Sequence, residues 1–182
     1  MALVAVAYRQ AVGPLTLVFN DRHYNLQLLG YLFSGNAIAV CLFQLPLSYY
    51  TRRLPVWIPL SLSALLTGGA YILLLAGTSL PLLIANFALW TVGDIIIGPL
   101  TMVVAMMMST PQTAGSYQGA LSVARSTGLA VGPSLGVFAY SVQASLPWYG
   151  AGVCGLIAAA IFAGFLRYLP AASSHGPRAG CR

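Results

Sequence analysis

This chain of 182 residues contains no lysine and no glutamate, and its only acids are Asp21 and Asp94. Charged residues make up 5% of it, whereas a soluble domain is about a quarter charged. A water-facing globular surface is therefore excluded. All eight cations are arginine, for a net charge of +6. In a soluble protein that excess would point to nucleic acid. Here the arginines gather at the ends of apolar runs, where they act as a topology signal, and no nucleic-acid partner is expected. Cysteine is also scarce. Cys41, Cys154 and Cys181 show no paired spacing, so neither a redox pair nor a Cys/His metal set is present. Cys41 and Cys154 fall in apolar runs and read as small core residues. His23 lies in a loop and His175 in the polar tail. No Ser/His dyad, paired aspartates or HExxH motif sits at membrane depth, so the chain does not read as an intramembrane enzyme. It offers no metal or cofactor site, and no filter-like loop or ring of acids suggests a channel. The first fifteen residues lack a basic leading region and a cleavage site, and they read as a helix that stays.

What the chain has in abundance is apolar length. Apolar residues account for 59%, and the mean hydropathy is +0.85. Six runs stand out, at residues 2–19, 28–47, 56–76, 81–108, 117–141 and 149–169. Each is expected to be a transmembrane helix, in a lipid bilayer that is the first partner. The expected fold is all-α: a polytopic membrane protein with one six-helix bundle over residues 1–170 and a disordered cytoplasmic tail over 171–182. Pro14 should bend the first helix. Gly98 and Pro99 should bend the fourth, whose roughly 42 Å at 1.5 Å per residue exceeds the hydrocarbon core. Arg52, Arg53, Arg167, Arg178 and Arg182 fall on one side of six crossings, against Arg22 on the other. The positive-inside rule then places both termini in the cytoplasm, at a cell membrane.

Polar groups at membrane depth are costly and mark functional interiors. Asp94 and Arg125 stand near the middles of the fourth and fifth runs, on stretches long and apolar enough to span. Counted along the helices, Asp94 lies roughly 21 Å and Arg125 roughly 15 Å from the shared end, a difference an arginine side chain can bridge. A buried pair is one outcome; separate contacts to water or backbone are the other. Arg9 shares a face with Gly13, Thr16 and Asn20, which either points into the bundle or lets Arg9 snorkel to the interface. Asn36 and Gln44 share a face of the second helix, as interhelical glue or as substrate contacts. Asn86, Trp90, Asp94 and Thr101 share one on the fourth. Gln118, Ser122, Arg125, Gly132 and Gly136 share one on the fifth, where Gly128, Gly132 and Gly136 allow close backbone approach. The third and sixth helices carry no comparable group. Polar, polar, apolar, twice over, suggests that helices one, two, four and five face a cavity or partner while three and six face lipid. Consecutive three-helix units must be inverted in the membrane, giving a three-plus-three inverted repeat.

Three stretches carry a family resemblance. GYLFSGNAIAVCLFQLPLSYYTRRLP resembles the helix and basic loop that open the second half of a major facilitator superfamily transporter. Its Arg52–Arg53 resembles a degenerate copy of the family's Gly-rich loop, without the Gly and the Asp. VGDIIIGP resembles a family helix with Asp94 in the acidic place. TPQTAGSYQGALSVARSTGLAVGPSLG resembles the next link and helix, with Gly132 and Pro133 as its Gly-Pro pair. Their order and spacing together resemble the C-terminal six-helix half of a drug–proton antiporter. The resemblance implies proton-coupled efflux of small hydrophobic or cationic compounds. Asp94, Arg125, Arg9, Asn36, Gln44, Asn86, Trp90 and Gln118 are the expected lining of the substrate and proton pathway. It also implies a partner, either a second six-helix half or a second copy, because one bundle alone offers no rocking pair. The alternative is a non-transporting remnant or a membrane subunit that packs against a partner bundle. Tyr31, Phe33, Trp90 and Tyr140 would suit an aromatic-lined site for a cation.

Overall fold

The computed structural model describes residues 12–51, 54–110 and 112–165, without the side chains of Val12 and Phe165. Arg9, Arg52, Arg53, Arg167, Cys181 and the expected tail at 171–182 lie outside the described residues. So does the first half of the first predicted helix. Among the described residues every regular element is an α-helix: α1 (Val12–Asp21), α2 (Leu26–Thr51), α3 (Trp57–Leu73), α4 (Leu80–Met107), α5 (Ala114–Val142) and α6 (Leu146–Phe165).

Local chemistry sets the helix ends. α1 stops where His23 takes a positive φ of 55°, a conformation that His tolerates better than most residues. There the backbone N–H of Tyr24 returns to the Phe19 carbonyl at 2.9 Å. α2 starts at once, because the Asn25 side-chain oxygen accepts the Gln27 N–H at 2.9 Å, a helix N-cap. α2 continues to Thr51, four residues past the expected end. The Ser48 and Thr51 hydroxyls fold back onto the carbonyls of Gln44 and Ser48 along this last turn. Pro46, Pro99 and Pro133 all lie inside continuous helices. Pro99 cannot donate to the Ile95 carbonyl, and two residues on, the Thr101 hydroxyl back-bonds to the Gly98 carbonyl at 2.9 Å.

α2, α4 and α6 are long and apolar enough to cross a membrane. α3 has 17 residues, just under that length. α5 has 29 residues, but its glycines, serines and Arg125 keep it from qualifying by hydropathy.

The tightest packing joins α3 to α6 and α4. α3 and α6 run antiparallel: Ser61 donates to the Ala159 carbonyl at 3.3 Å, and Gly68 faces Gly155 and Gly152. The approach needs glycine. A Cβ built on Gly155 would lie 2.7 Å from the Gly68 Cα and 3.0 Å from the Ala64 carbonyl oxygen. α3 also runs antiparallel to α4, with Asn86 against Ala70 and Gly93 against Ser63 and Thr67. A Cβ on Gly93 would meet the Thr67 hydroxyl at 2.5 Å. Two clusters fill the interior. One gathers Leu15, Val18 and Phe19 of α1 with Tyr71, Leu83, Phe87, Trp90 and Trp148. The other joins Leu60 and Ala64 to Ile96, Leu100, Ala158, Ala159 and Phe162. Leu15, Val18 and Phe19 share one face of α1, the spacing that turns a helix stripe inward.

α1 and α5 form a second seam and run parallel. Gly13 packs against Pro133 and Val137, and further along the Tyr140 hydroxyl donates to Asp21 at 2.7 Å. The polar face expected to turn inward on α1 does not bury its members: Thr16 and Asn20 are exposed, and the apolar stripe is what faces the core. α2 and α5 are the least covered helices. α2 buries only Leu29, and α5 buries only Gly128, Gly132 and Gly136. Cys41 is accordingly exposed rather than packed in the core, and Cys154 is intermediate.

Candidate functional site

The seam between α2 and α4 holds the densest set of the expected pathway residues. Asn36 donates its amide to the Thr91 hydroxyl at 3.0 Å. That hydroxyl in turn donates to the Phe87 carbonyl at 2.7 Å, so it serves both helices. One turn pair further on, the Gln44 amide nitrogen approaches Gly98, 3.7 Å from where a Cβ would stand. Residue numbers rise together along the seam, from 36 and 91 to 44 and 98, so α2 and α4 run parallel. Asp94 sits on α4 between these two contacts, three residues after Thr91 and four before Gly98, and its side chain is half-buried. The helical repeat puts residues 91, 94 and 98 on one face. Asp94 is thus flanked by an amide at either level of α2, while the adjoining side of α4, which carries Asn86 and Gly93, is taken up by α3.

Asn86 and Trp90 lie deeper. Asn86 is fully buried, and its Nδ2 donates to the Ala70 carbonyl of α3 at 2.6 Å. Its Oδ1 has no hydrogen-bond partner. Trp90 joins an aromatic cluster with edge-on contacts to Phe33 at 5.8 Å and Phe87 at 5.4 Å. Phe33 and Phe87 complete the triangle at 5.2 Å. Such edge-to-face pairs fix side chains in place more firmly than area burial alone. The face predicted to hold Asn86, Trp90, Asp94 and Thr101 together is therefore divided. Its first two members bind α4 into the core, and Asp94 and Thr101 remain at the half-buried margin.

α5 places the other candidates apart from this seam. Gln118 is half-buried and Arg125 is exposed. Among the described residues no ion pair joins Arg125 to Asp94. A difference in depth small enough for an arginine to bridge left a pair open as one outcome, but depth does not fix the direction in which each side chain leaves its helix. Of the aromatic candidates, Tyr31 is 71% exposed, Phe33 belongs to the Trp90 cluster, and Tyr140 is committed to Asp21. Sequence reasoning passed over Thr91, the partner of Asn36. A β-branched hydroxyl four residues after Phe87 has the spacing of a helix back-bond, and only the tertiary contact reveals its second role.

Six apolar helices among the described residues, with a half-buried carboxylate between two amides, are the setting for comparison with known families. Residues 1–180 match the model of the Major Facilitator Superfamily. The chain belongs to the Major Facilitator Superfamily. No curated protein matches it, and no solved structure does. Membership makes the chain a membrane transporter of that superfamily, a group of transporters and not of enzymes. The superfamily assignment agrees with the all-α structure and with the three helices apolar enough to cross a bilayer.

Proposed function

We propose that this superfamily member is one six-helix unit of a proton-coupled exporter for small hydrophobic or cationic compounds, with Asp94 as the proton-carrying group. The position of Asp94 in the parallel α2–α4 seam carries this reading. Asn36–Thr91 lies on one side of it and Gln44 on the other, so the carboxylate has polar neighbours without a fixed cationic partner among the described residues. A carboxylate with no committed counter-ion can exchange a proton and a cationic substrate in turn; one locked to an arginine cannot do so readily.

Six crossings in a three-plus-three inverted repeat form part of the same proposal. Its support is a partial symmetry of the helix contacts. Exchanging α1, α2 and α3 for α4, α5 and α6 turns the α2–α4 seam into the α5–α1 seam. It turns the α1–α2 pair into the α4–α5 pair and leaves α3–α6 unchanged, and these five pairs occur; the extensive α3–α4 contact and the α5–α6 contact have no counterpart of similar extent, so the repeat is matched in part. Both termini would lie in the cytoplasm of a cell carrying the protein in its plasma membrane, in line with the arginine distribution. The partner is a second six-helix bundle, from another half or another copy, facing the thinly covered α2 and α5.

The test is gradient-driven transport in proteoliposomes holding the protein with its partner bundle. A cationic dye would be followed under an imposed pH gradient, comparing wild type with Asp94→Asn. Gradient-driven movement should fall at least about a hundredfold in the variant, the lower end of what a positioned proton-transfer group contributes. Exchange of dye down its own gradient should persist. Undiminished proton-driven movement in Asp94→Asn would sink the assignment.

A further inference from the structure

At one end of the bundle, the C-terminus of α1, the α3–α4 link, the end of α5 and the start of α6 surround an open cavity of about 410 Å³. That is within the range of roughly 300–1,000 Å³ found for ligand pockets. None of the expected pathway residues lines it. Its floor is apolar, from Val18, Leu74, Leu75 and Trp148. Its rim carries a carboxylate and a guanidinium side by side, Asp21 and Arg22. The Tyr140 hydroxyl donates to Asp21 Oδ2 at 2.7 Å and so fixes the carboxylate across a chain separation of 119 residues. Asp21 Oδ1 has no partner among the described residues.

We propose that this cavity binds an ethanolamine-phosphate group, presented as the headgroup of a membrane lipid. The chemistry matches group by group. Asp21 Oδ1 accepts from a primary ammonium, Arg22 pairs with the phosphate, and the acyl chains follow the apolar wall below. The depth is also right. The cavity opens at the helix ends, where Tyr140 and Tyr149 stand at its mouth above the buried Trp148. Tyrosine and tryptophan are the residues enriched where headgroups begin. An ethanolamine ammonium donates hydrogen bonds to a carboxylate, whereas a choline group has no N–H to give. The site therefore discriminates between the two most similar zwitterionic lipids. This inference depends on the protein being in a bilayer, not on the direction of transport or on the role of Asp94.

The experiment reads retained lipid. The full chain is loaded from vesicles containing equal phosphatidylethanolamine, phosphatidylcholine and phosphatidylglycerol, and bound lipid is counted by native mass spectrometry. The wild type should keep phosphatidylethanolamine in preference to phosphatidylcholine. Asp21→Asn preserves shape and still offers an oxygen to Tyr140, so the fold should hold, as checked by helical circular dichroism. It should lower phosphatidylethanolamine retention about tenfold, the scale of losing one charge-assisted hydrogen bond, and leave phosphatidylglycerol unchanged. Arg22→Gln should lower both. Soluble phosphoethanolamine added at millimolar concentration distinguishes the source: failure to displace the lipid assigns the site to the headgroup, and displacement overturns the lipid assignment in favour of a free solute. Equal retention of ethanolamine and choline lipids, or no change in Asp21→Asn, overturns the site itself.

Discussion

Replacing Gly155 by alanine tests the closest helix contact in the protein. The added Cβ would stand 2.7 Å from the Gly68 Cα, 3.0 Å from the Ala64 carbonyl oxygen and 3.2 Å from the Gly68 nitrogen. Carbon pairs rest at about 3.5–4.0 Å, so the overlap is on the order of 1 Å. All three neighbours are backbone atoms of α3, and none can rotate away. α3 and α6 must therefore separate. Separation strains the Ser61–Ala159 hydrogen bond and loosens Ala158, Ala159 and Phe162 in their cluster. Overpacking of this kind costs about 1–3 kcal/mol. Gly69→Ala is the matched control. It sits beside Gly68, and a Cβ there meets nothing within 4 Å. Both variants gain the same helix propensity on replacing glycine, about 1 kcal/mol in water, so their difference isolates packing. Reversible unfolding in mixed detergent micelles, followed by circular dichroism, should show Gly155→Ala less stable than Gly69→Ala by about 1–3 kcal/mol. Equal stability of the two would refute the close approach of α3 and α6.

Two further outcomes follow from hydrogen bonds inside the bundle. A double-mutant cycle on Asn36→Leu and Thr91→Val, read in the same unfolding assay, should give a coupling of about 0.6 kcal/mol and no more than about 1.7, the range for interhelical hydrogen bonds in a membrane; zero coupling would remove the α2–α4 bond. Asn86→Leu should change stability by less than about 1 kcal/mol, because it loses one hydrogen bond to Ala70 and also removes a buried oxygen that has no partner. A loss above about 3 kcal/mol in the same assay would show that Oδ1 is held by a partner after all.

The helices were legible because an apolar run of spanning length admits few other structures. Their ends shifted by up to four residues where side chains changed the accounting, as when Ser48 and Thr51 prolong α2 with hydroxyl bonds to its own carbonyls. The polar groups were legible as a set, but their grouping was not. Asn86 and Asp94 are separated by eight residues and share a face of α4, yet one bonds to α3 and the other stands beside α2. A shared face about 100° wide can meet two different neighbours, and sequence spacing cannot tell them apart. Arg125 and Asp94 were related only by depths close enough for an arginine to bridge. The Asp21–Tyr140 bond joins the only other acid to a residue 119 positions away, and no local pattern announces a contact of that range. Packing by glycine was half visible: the spacing of Gly128, Gly132 and Gly136 was noticed, while the closer contact between Gly68 and Gly155 carries no repeat to find.

The uneven burial of the helices bears on what else the bundle needs. An apolar face left open is no burden in lipid, and the exposed Ile38, Leu42, Phe43 and Leu45 of α2 would sit there without cost. Arg125 is different. It is exposed on α5, eleven residues from the start of a 29-residue helix. That distance is roughly 17 Å by the helical rise, close to the middle of a hydrocarbon core about 30 Å thick. A guanidinium facing acyl chains at that depth costs several kcal/mol even after snorkelling. No carboxylate among the described residues pairs with it. The cost disappears if a second bundle covers α5 and supplies either a water-filled cleft or an acceptor. Among the polar groups of this chain, Arg125 therefore makes the strongest case for the proposed partner. A cleft of the proposed kind would open on the α5 side of the bundle, away from the α3–α6 contact, where glycines and small residues leave no room for solvent.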